Sequence, residues 1–467
     1  MKVLIIGAGE TGFYIASELS EDDFEVTVVD ENPQQLKLTQ RSLNVAGLIG
    51  NGTSLSVLES AGIESTDLII ACTDHDETNL ICCLLANYYK VKHKIAVTKT
   101  RSFIKKKTIS NYINSGVSQV INSAMITAEE IIQTAEVESA TEVSAFGEKN
   151  ILLVGYRVKK DSPWKDLYLK DIRQSEGENQ FLIACIVRNG QSSIPSGQDQ
   201  IQQGDYVYVL IPRQLVSILN NILKVRISSN KRAVIAGENL IGERVASGLI
   251  RNQYSVTLIC RGELSAEKMK KKFLYNKRIT VIHGDSESVK LQLKAEVAMS
   301  SLFIAVSNDD DLNITSGLVA SYLGAAKIIA LVNRRDMIRC AEKIDIDVII
   351  SPRLSTARQI KKIIRGREHS LNYTTISETD MEVMEMVTSD RSKILGKPLK
   401  EVKFPANTLV GAITKDKNKV IIPTGDTVIE AGDKVIMVTM PVSVPKLKEL
   451  LEGKEGKNSP QMEIPRV

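Results

Sequence analysis

Residues 3–19 read VLIIGAGETGFYIASEL, and residues 233–249 read AVIAGENLIGERVASGL. Each is an apolar run that ends in glycine, meets a second glycine five positions later, and continues with apolar residues at helical spacing. Gly7 and Gly237 are 230 positions apart, as are Gly12 and Gly242. A fixed offset of this kind is the signature of an internal repeat, and here it decides the architecture.

The correspondence continues along the chain. FEVTVVDEN (24–32) matches YSVTLICRG (254–262), and IGNGTSLSVL (49–58) matches IHGDSESVKL (282–291). DLIIACTDHDETNL (67–80) matches SLFIAVSNDDDLNI (301–314), and HKIAVTKTRSF (93–103) matches KIIALVNRRDM (327–337). GVSQVINSAMITAEEI (116–131) matches DIDVIISPRLSTARQI (345–360). Each half closes on a second shared segment, SSIPSGQDQIQQGDYVYVLI (192–211) and KVIIPTGDTVIEAGDKVIMV (419–438). So many ordered matches define a two-domain unit, duplicated.

Within each unit the pattern changes midway. The first part alternates short Val/Ile-rich runs with helical-period segments, which predicts βαβ units and a parallel sheet covered by helices. The second part has short strands separated by Gly-Asp and Pro-x-Gly turns, which predicts a small α+β module. The expected fold class is therefore α/β, with two Rossmann-like domains each followed by such a module. The expected boundaries are 1–135, 136–225, 230–368 and 369–453, with a polar tail over 454–467. The glutamate-rich stretch Glu136–Glu142 and the segment IIRGREHSLNY (363–373) mark the two changes of pattern.

The first loop is a complete G-x-G-x-x-G between strand and helix. Gly7 permits the tight turn, Gly9 lets a pyrophosphate approach the backbone, and Gly12 lets helix and sheet pack closely. The helix N-terminus offers N–H groups and the positive end of its dipole to the phosphates. Asp30 ends the next strand, where a dinucleotide fold places the carboxylate that accepts from ribose hydroxyls. An aspartate here, with no arginine just after it, favours NAD(H) over NADP. Other strand ends supply Asn51-Gly52-Thr53, then Thr73, Asp74 and Asp76, then Lys99. Asn51–Thr53 reads equally as a plain turn or a ribose or adenine contact. Thr73, Asp74 and Asp76 read first as caps of the following helix. Lys99 reads as a phosphate contact or a solvated lysine.

The second loop departs from this pattern. Asn239 replaces the middle glycine, and Cys260 followed by Arg261 replaces Asp30. A side chain at 239 hinders the backbone approach that a pyrophosphate needs. The second copy is expected to bind NAD poorly or not at all, although Arg261 leaves room for a more anionic nucleotide.

Bulk properties set limits. A chain of 467 residues exceeds one core and fits two to four domains. A net charge of +4 gives no electrostatic reason to expect nucleic acid. The lysine runs at 105–107 and 270–272 read as solvated helix faces. Six scattered cysteines (Cys72, Cys82, Cys83, Cys185, Cys260 and Cys340) lack a C-x-x-C pair and read as reduced, buried thiols of a cytosolic protein. Four histidines (His75, His93, His283 and His369) without i,i+4 pairing give no zinc pattern. Asp309-Asp310-Asp311 reads as a helix-capping turn rather than a cation site. The N-terminus has no signal-peptide layout, and no apolar run approaches the ~20 residues that span a bilayer. Any membrane association is expected to come through a partner.

A duplicated dinucleotide fold also raises the alternative of an NAD-dependent oxidoreductase. That chemistry needs an acid–base group beside a substrate site. His75 is the histidine nearest a strand end and reads as a solvent-exposed loop residue, so the expectation is a chain that is not an enzyme.

Strand-GAGETG-helix, VVDEN, GNGTSLSVLESAGI, DLIIACTDHDETN and KIAVTKTR together resemble the nucleotide-binding part of an RCK domain (regulator of potassium conductance, also called KTN). The segments IPSGQDQIQQGDYVYV and IIPTGDTVIEAGDKVIMV resemble its C-terminal module. Two such units in one chain are similar to the arrangement of the regulatory subunits of Trk potassium uptake. The resemblance implies a cytoplasmic homotetramer, eight RCK units in a ring, on a membrane channel of the TrkH/TrkG type. It implies gating by NAD(H) or by ATP/ADP. By motif position it implies that Gly7, Ala8, Gly9, Glu10, Thr11 and Gly12 surround the phosphates, that Asp30 holds the ribose, and that Thr53 and Thr73 flank the adenosine. It puts a basic group after the fifth strand, where AVTKTR offers Lys99 or Arg101.

Overall fold

The first four-residue stretches of each repeat are apolar at every position rather than alternating, as strands covered on both faces require. In a computed structural model they form two parallel sheets. The structure describes residues 1–20, 24–104, 116–175, 180–224, 231–341, 344, 346–368, 372–376, 379–415 and 419–453. The lysine run at 105–107, His369 and the 454–467 tail lie outside these residues, as does the Cys340 side chain.

The first nucleotide-type fold comprises β1 (Lys2–Ile6), α1 (Glu10–Ser20), β2 (Glu25–Asp30), α2 (Pro33–Ser42), β3 (Ala46–Ile49), α3 (Leu55–Ser60), β4 (Leu68–Ala71), α4 (Asp76–Tyr88), β5 (His93–Thr98), β6 (Gln119–Asn122) and α5 (Ser123–Ala135). Its module follows with β7 (Glu142–Phe146), β8 (Ile151–Arg157), α6 (Leu169–Ser175), β9 (Leu182–Arg188), β10 (Gln191–Ser193), β11 (Tyr206–Pro212) and α7 (Val216–Ile222). The second nucleotide-type fold comprises β12 (Arg232–Ala236), α8 (Leu240–Arg251), β13 (Ser255–Cys260), α9 (Glu263–Lys272), β14 (Ile279–His283), α10 (Val289–Lys294), β15 (Leu302–Ala305), α11 (Asp310–Leu323), β16 (Ile328–Leu331), α12 (Arg335–Ala341), β17 (Val348–Ile350) and α13 (Pro352–Glu368). The second module has β18 (Asn372–Thr375), β19 (Glu382–Val387), β20 (Thr408–Lys415), β21 (Lys419–Ile421), β22 (Lys434–Thr439) and α14 (Val444–Glu452).

The first parallel sheet has the order β3-β2-β1-β4-β5-β6, and the second repeats it as β14-β13-β12-β15-β16-β17. The order reverses between β1 and β4, and again between β12 and β15, so each sheet has the switch point where ligands of such folds gather. Even the register repeats: Lys2 pairs with Glu25, and Arg232 with Ser255. The expected fold class is the one that forms.

The modules contain five-stranded antiparallel sheets, β10-β9-β11-β8-β7 and β18-β19-β22-β20-β21. They share one core in which Phe146, Leu153, Tyr208 and Leu210 pack with Met381, Val383, Ile436 and Val438. The sequence presents a two-domain unit in tandem, but in space the copies group by kind. One compact unit holds both nucleotide-type folds (Met1–Ile132 and Ser228–Lys361), and the other holds both modules (Gln133–Ile227 and Lys362–Val467). For the modules the physical reason is this shared apolar core, which neither copy closes alone.

In the first unit the two copies meet through α1 and α8, at equivalent positions with unlike chemistry. Arg335 lies over the Phe13 ring, 3.6 Å from its centroid. The equivalents are Arg101 and Glu243, which form an ion pair that Lys272 joins. Lys361 Nζ stands 3.2 Å from Glu18 Oε2. The equivalents there are Ile132 and Gly248, and Ile132 occupies the space a side chain at 248 would take.

Burial works against the charged form of Glu243, but its bonds to Lys272 and Arg101 prevail and hold its carboxyl below the ordinary glutamate range. A depressed carboxyl contributes stability that is present above the unfolded value, about pH 4.3, and is lost as pH falls through the folded one. Glu243→Gln should therefore lower the denaturation midpoint at about pH 7 and flatten the loss of stability between about pH 5 and 3. Parallel pH profiles for the two proteins would contradict this assignment.

The helix after each loop leans directly on the turn. A Cβ on Gly12 would lie 1.8 Å from the Gly7 carbonyl oxygen, and one on Gly242 would lie 2.0 Å from that of Gly237. Because the obstacle is backbone, Gly242→Ala should cost about 1–3 kcal/mol of unfolding free energy, read from denaturant titration.

Candidate functional site

A cleft of about 1220 Å³ runs across the switch points of both sheets, with Asn239, Asn308 and Asn333 among the residues that face it from the second copy. Gly7, Gly9, Glu10, Thr11, Asp30, Thr53, Thr73 and Lys99 line it, so eight residues singled out from sequence converge. Ala8 and Gly12 sit behind it. Ala8 is buried, its N–H donates to Asp30 Oδ2 at 2.5 Å, and Gly12 packs against the turn.

Asp30 is thereby doubly anchored, since Oδ1 accepts from the Asn32 N–H at 2.7 Å. Two carboxylate oxygens offer about four acceptor directions, so lone pairs remain for ribose hydroxyls. Above the loop, a Cβ on Gly9 would meet nothing nearer than Gln35 Oε1 at 3.9 Å. The loop surface is open where a pyrophosphate would lie, and the first turn of α1 carries the N–H groups that a helix leaves unpaired. The residues present fit a dinucleotide or nucleoside polyphosphate: a carboxylate for the ribose, an open backbone for the phosphates, and a cleft of adequate volume.

At the end of β3 the chain makes a turn, and at the end of β4 the residues read as caps do other work. Thr53 closes an Asx turn, with its N–H and hydroxyl both donating to Asn51 Oδ1. The N-cap of α4 is His75, without a side-chain bond. Asp76 is buried, and its two oxygens accept from the N–H groups of Lys99 and Thr100, bracing α4 against the end of β5. Lys99 Nζ donates to Asp74 at 2.6 Å, and that bond holds the Asp74 carboxyl below the usual range. Lys99 faces the cleft, whereas Arg101 is committed to Glu243.

The sequence reading missed Asn79. It is buried, accepts from the Thr73 N–H and hydroxyl, and donates to the carbonyls of Thr73 and Val97. Its counterpart Asn313 holds Ser307 and Leu331 in the same way. The repeat carried the signal: D-x-x-N stands at Asp76–Asn79 and again at Asp310–Asn313.

The second loop satisfies itself. Asn239 is the N-cap of α8; its Oδ1 accepts from the Gly242 N–H at 3.0 Å, and its amide donates to the Val306 carbonyl at 2.6 Å. Glu238 stands where the first copy has Ala8, and its carboxylate accepts from the N–H groups of Arg261 and Gly262. The carboxylate that joins loop to strand end has moved from the strand to the loop. Asp309 caps α11, Asp310 binds the N–H groups of Asn333 and Arg334, and Asp311 pairs with Arg334. Among the described residues, no group of three or more His, Cys, Asp or Glu is placed to hold a metal ion.

The described cysteines are free and buried. Burial, reinforced by Asp30, pushes the Cys72 thiol at the cleft floor up to about 12. Such a thiol stays protonated near neutral pH.

Fold and site define a class: paired dinucleotide folds, one with an open loop and one self-filled, with paired α+β modules. Family comparison agrees. The TrkA-N domain matches residues 3–123 and 233–352, and the TrkA-C domain matches 153–224 and 383–452. The chain belongs to the family of tandem TrkA-N and TrkA-C proteins. It is 29% identical over 460 residues to the Trk system potassium uptake protein TrkA of Azorhizobium caulinodans, covering 96% of this chain and 98% of that protein. It is 28% identical to TrkA homolog 1 of Methanosarcina mazei, covering 94% and 97%. Among solved structures it resembles the RCK domain of GsuK, with a TM-score of 0.59 at 18% identity, covering 97% and 95%. It also resembles the GsuK channel bound to NAD, with a TM-score of 0.58 at 19% identity, covering 97% and 79%. Among the described residues no helix is long and apolar enough to cross a membrane.

Because Asn239 fills the second loop with its own side chain, Asn239→Ala should cost about 1 kcal/mol of stability, the usual value of an N-cap. Nucleotide affinity should stay within about twofold, as titration calorimetry would show.

Proposed function

We propose that this chain is the regulatory subunit of a Trk-type potassium uptake system, acting on the cytoplasmic side of the membrane. On this reading it binds NAD(H) or ATP/ADP in the first cleft and gates a channel or transporter of the TrkH/TrkG type. It acts as a homotetramer, reaches the membrane through that partner, and is not an enzyme. The observation that carries the reading is the asymmetry of the two loops. The first offers an open glycine surface and a strand-end carboxylate, and the second has closed both with its own side chains. The family and the names of its relatives supply the potassium-transport context.

The residues assigned to the ligand are Gly7, Gly9, Glu10 and Thr11 around the phosphates, with Ala8 and Gly12 shaping the turn behind them. Asp30 takes the ribose, Thr53 and Thr73 flank the adenosine, and Lys99 exchanges Asp74 for a phosphate. Regulation requires a ligand that favours one conformation of the assembly over another; tight binding alone shifts nothing.

The test is binding of NADH, NAD, ATP and ADP in parallel, followed by potassium flux through the reconstituted partner channel. Asp30→Ala should weaken binding about tenfold or more, the value of a charge-assisted bond, and should abolish the nucleotide dependence of flux. Catalytic turnover of a nicotinamide cofactor, lost in the same variant, would instead establish an oxidoreductase.

A further inference from the structure

The first cleft is not built by the first copy alone. Pro352 and Arg353, at the start of α13 in the second copy, also line it. Arg353 forms an ion pair with Glu10, the first residue of α1, on the loop where the phosphates are assigned. The pair joins Arg353 Nη1 to Glu10 Oε2 directly, across the seam between the two copies. Both side chains are partly buried, with exposures of 41% and 34%.

The repeat shows that this pair is one-sided. The counterpart of Glu10 is Leu240, and that of Arg353 is Ala124. The second copy therefore brings Arg353 to the first residue of α1, and the equivalent positions of the repeat hold Ala124 and Leu240. At the start of α8 the cross-copy pair is instead Arg101 with Glu243, one turn further along the helix and with Lys272 joined to it, whereas Arg353 reaches the loop residue that lines the cleft. A carboxylate at the first turn of α1 also answers the helix dipole there.

We propose that Arg353 is a phosphate ligand, supplied by the second copy to a nucleotide held by the first, and that Glu10 holds it in reserve until phosphate displaces the carboxylate. This rests on the nucleotide reading of the first cleft. Glu10 and the phosphate compete for one guanidinium, and the planar fork of arginine suits phosphate as well as carboxylate. The ligand chemistry selected is an adenine nucleotide with two or more phosphoryl groups. Adenosine gains nothing from Arg353, whereas ADP and NAD do. Binding also rewires the grip of α13 on α1, so the relation between the copies changes with the ligand.

The test uses the full chain and calorimetry with adenosine, ADP and NAD. Arg353→Gln should weaken ADP and NAD about tenfold and leave adenosine within about twofold. Glu10→Gln should tighten ADP and NAD severalfold, because it frees Arg353 and removes a repelling charge. The two variants break the same ion pair, so a merely structural role would move affinity in one direction for both. Opposite shifts support the proposal. Equal shifts, or none, in a wild-type chain that binds ADP or NAD would overturn it alone. A wild-type chain that binds neither would overturn the nucleotide reading and this proposal together.

Discussion

A nearly buried ion pair, Lys361 with Glu18, fixes which copy of the nucleotide-type fold meets which. Each copy presents the same helices to the other, so geometry alone would allow like to pair with like. Chemistry does not. Two second copies would set Lys361 against Gly248 and Arg353 against Leu240, and two first copies would set Glu18 against Ile132. Lys361 against Gly248 and Glu18 against Ile132 would each leave a mostly buried charge without a partner, which costs several kcal/mol, roughly 3–5 for a broken buried pair. The unlike pairing satisfies every one of these groups, so duplication followed by divergence has turned a symmetric contact into a directional one.

The same divergence explains the two loops. A dinucleotide loop leaves helix N–H groups and a strand-end carboxylate seeking partners. In the first copy that need is left open toward a cleft. In the second it is met internally, by Asn239 on the helix and by Glu238 on the strand end. The loop and strand end of the second fold are thus bonded to each other by its own side chains. Arg335, Arg353 and Lys361 all come from its C-terminal part and all touch α1.

Much of this was legible in the sequence, because it lies in spacing. Constant offsets gave the duplication, all-apolar runs gave the parallel sheets, and Asp30 with the three glycines marked the cleft. The grouping of copies by kind was not legible, since the contacts that cause it join residues with no motif: Ile132 with Gly248, and Phe146 with Ile436. Asp76 looked like a cap because it stands at a helix start; only the nearness of β5 shows that it serves Lys99 and Thr100 instead. Arg353 carries no local pattern at all, and its meaning comes from the loop opposite. Asn79 differs: its signal was present in the repeat, in a pair of positions not singled out.

On the proposed function, the helix that follows the ligand loop must be where binding is felt. α1 is held from behind by the turn at Gly7, whose carbonyl leaves no room for movement toward it. It is held from the front by the second copy. A ligand that binds the loop without touching the second copy would stabilise every arrangement of the two copies equally and would shift none of them. Coupling requires a group that feels both the ligand and the arrangement. Among the described residues lining the cleft, the charged groups reaching it from the second copy are Asp309, Asp310, Asp311, Arg334 and Arg353. The three aspartates are anions, and Arg334 is drawn to Asp311. Arg353 is the cation whose present partner sits on the phosphate loop itself, so its exchange of partners links ligand occupancy to the placement of α13.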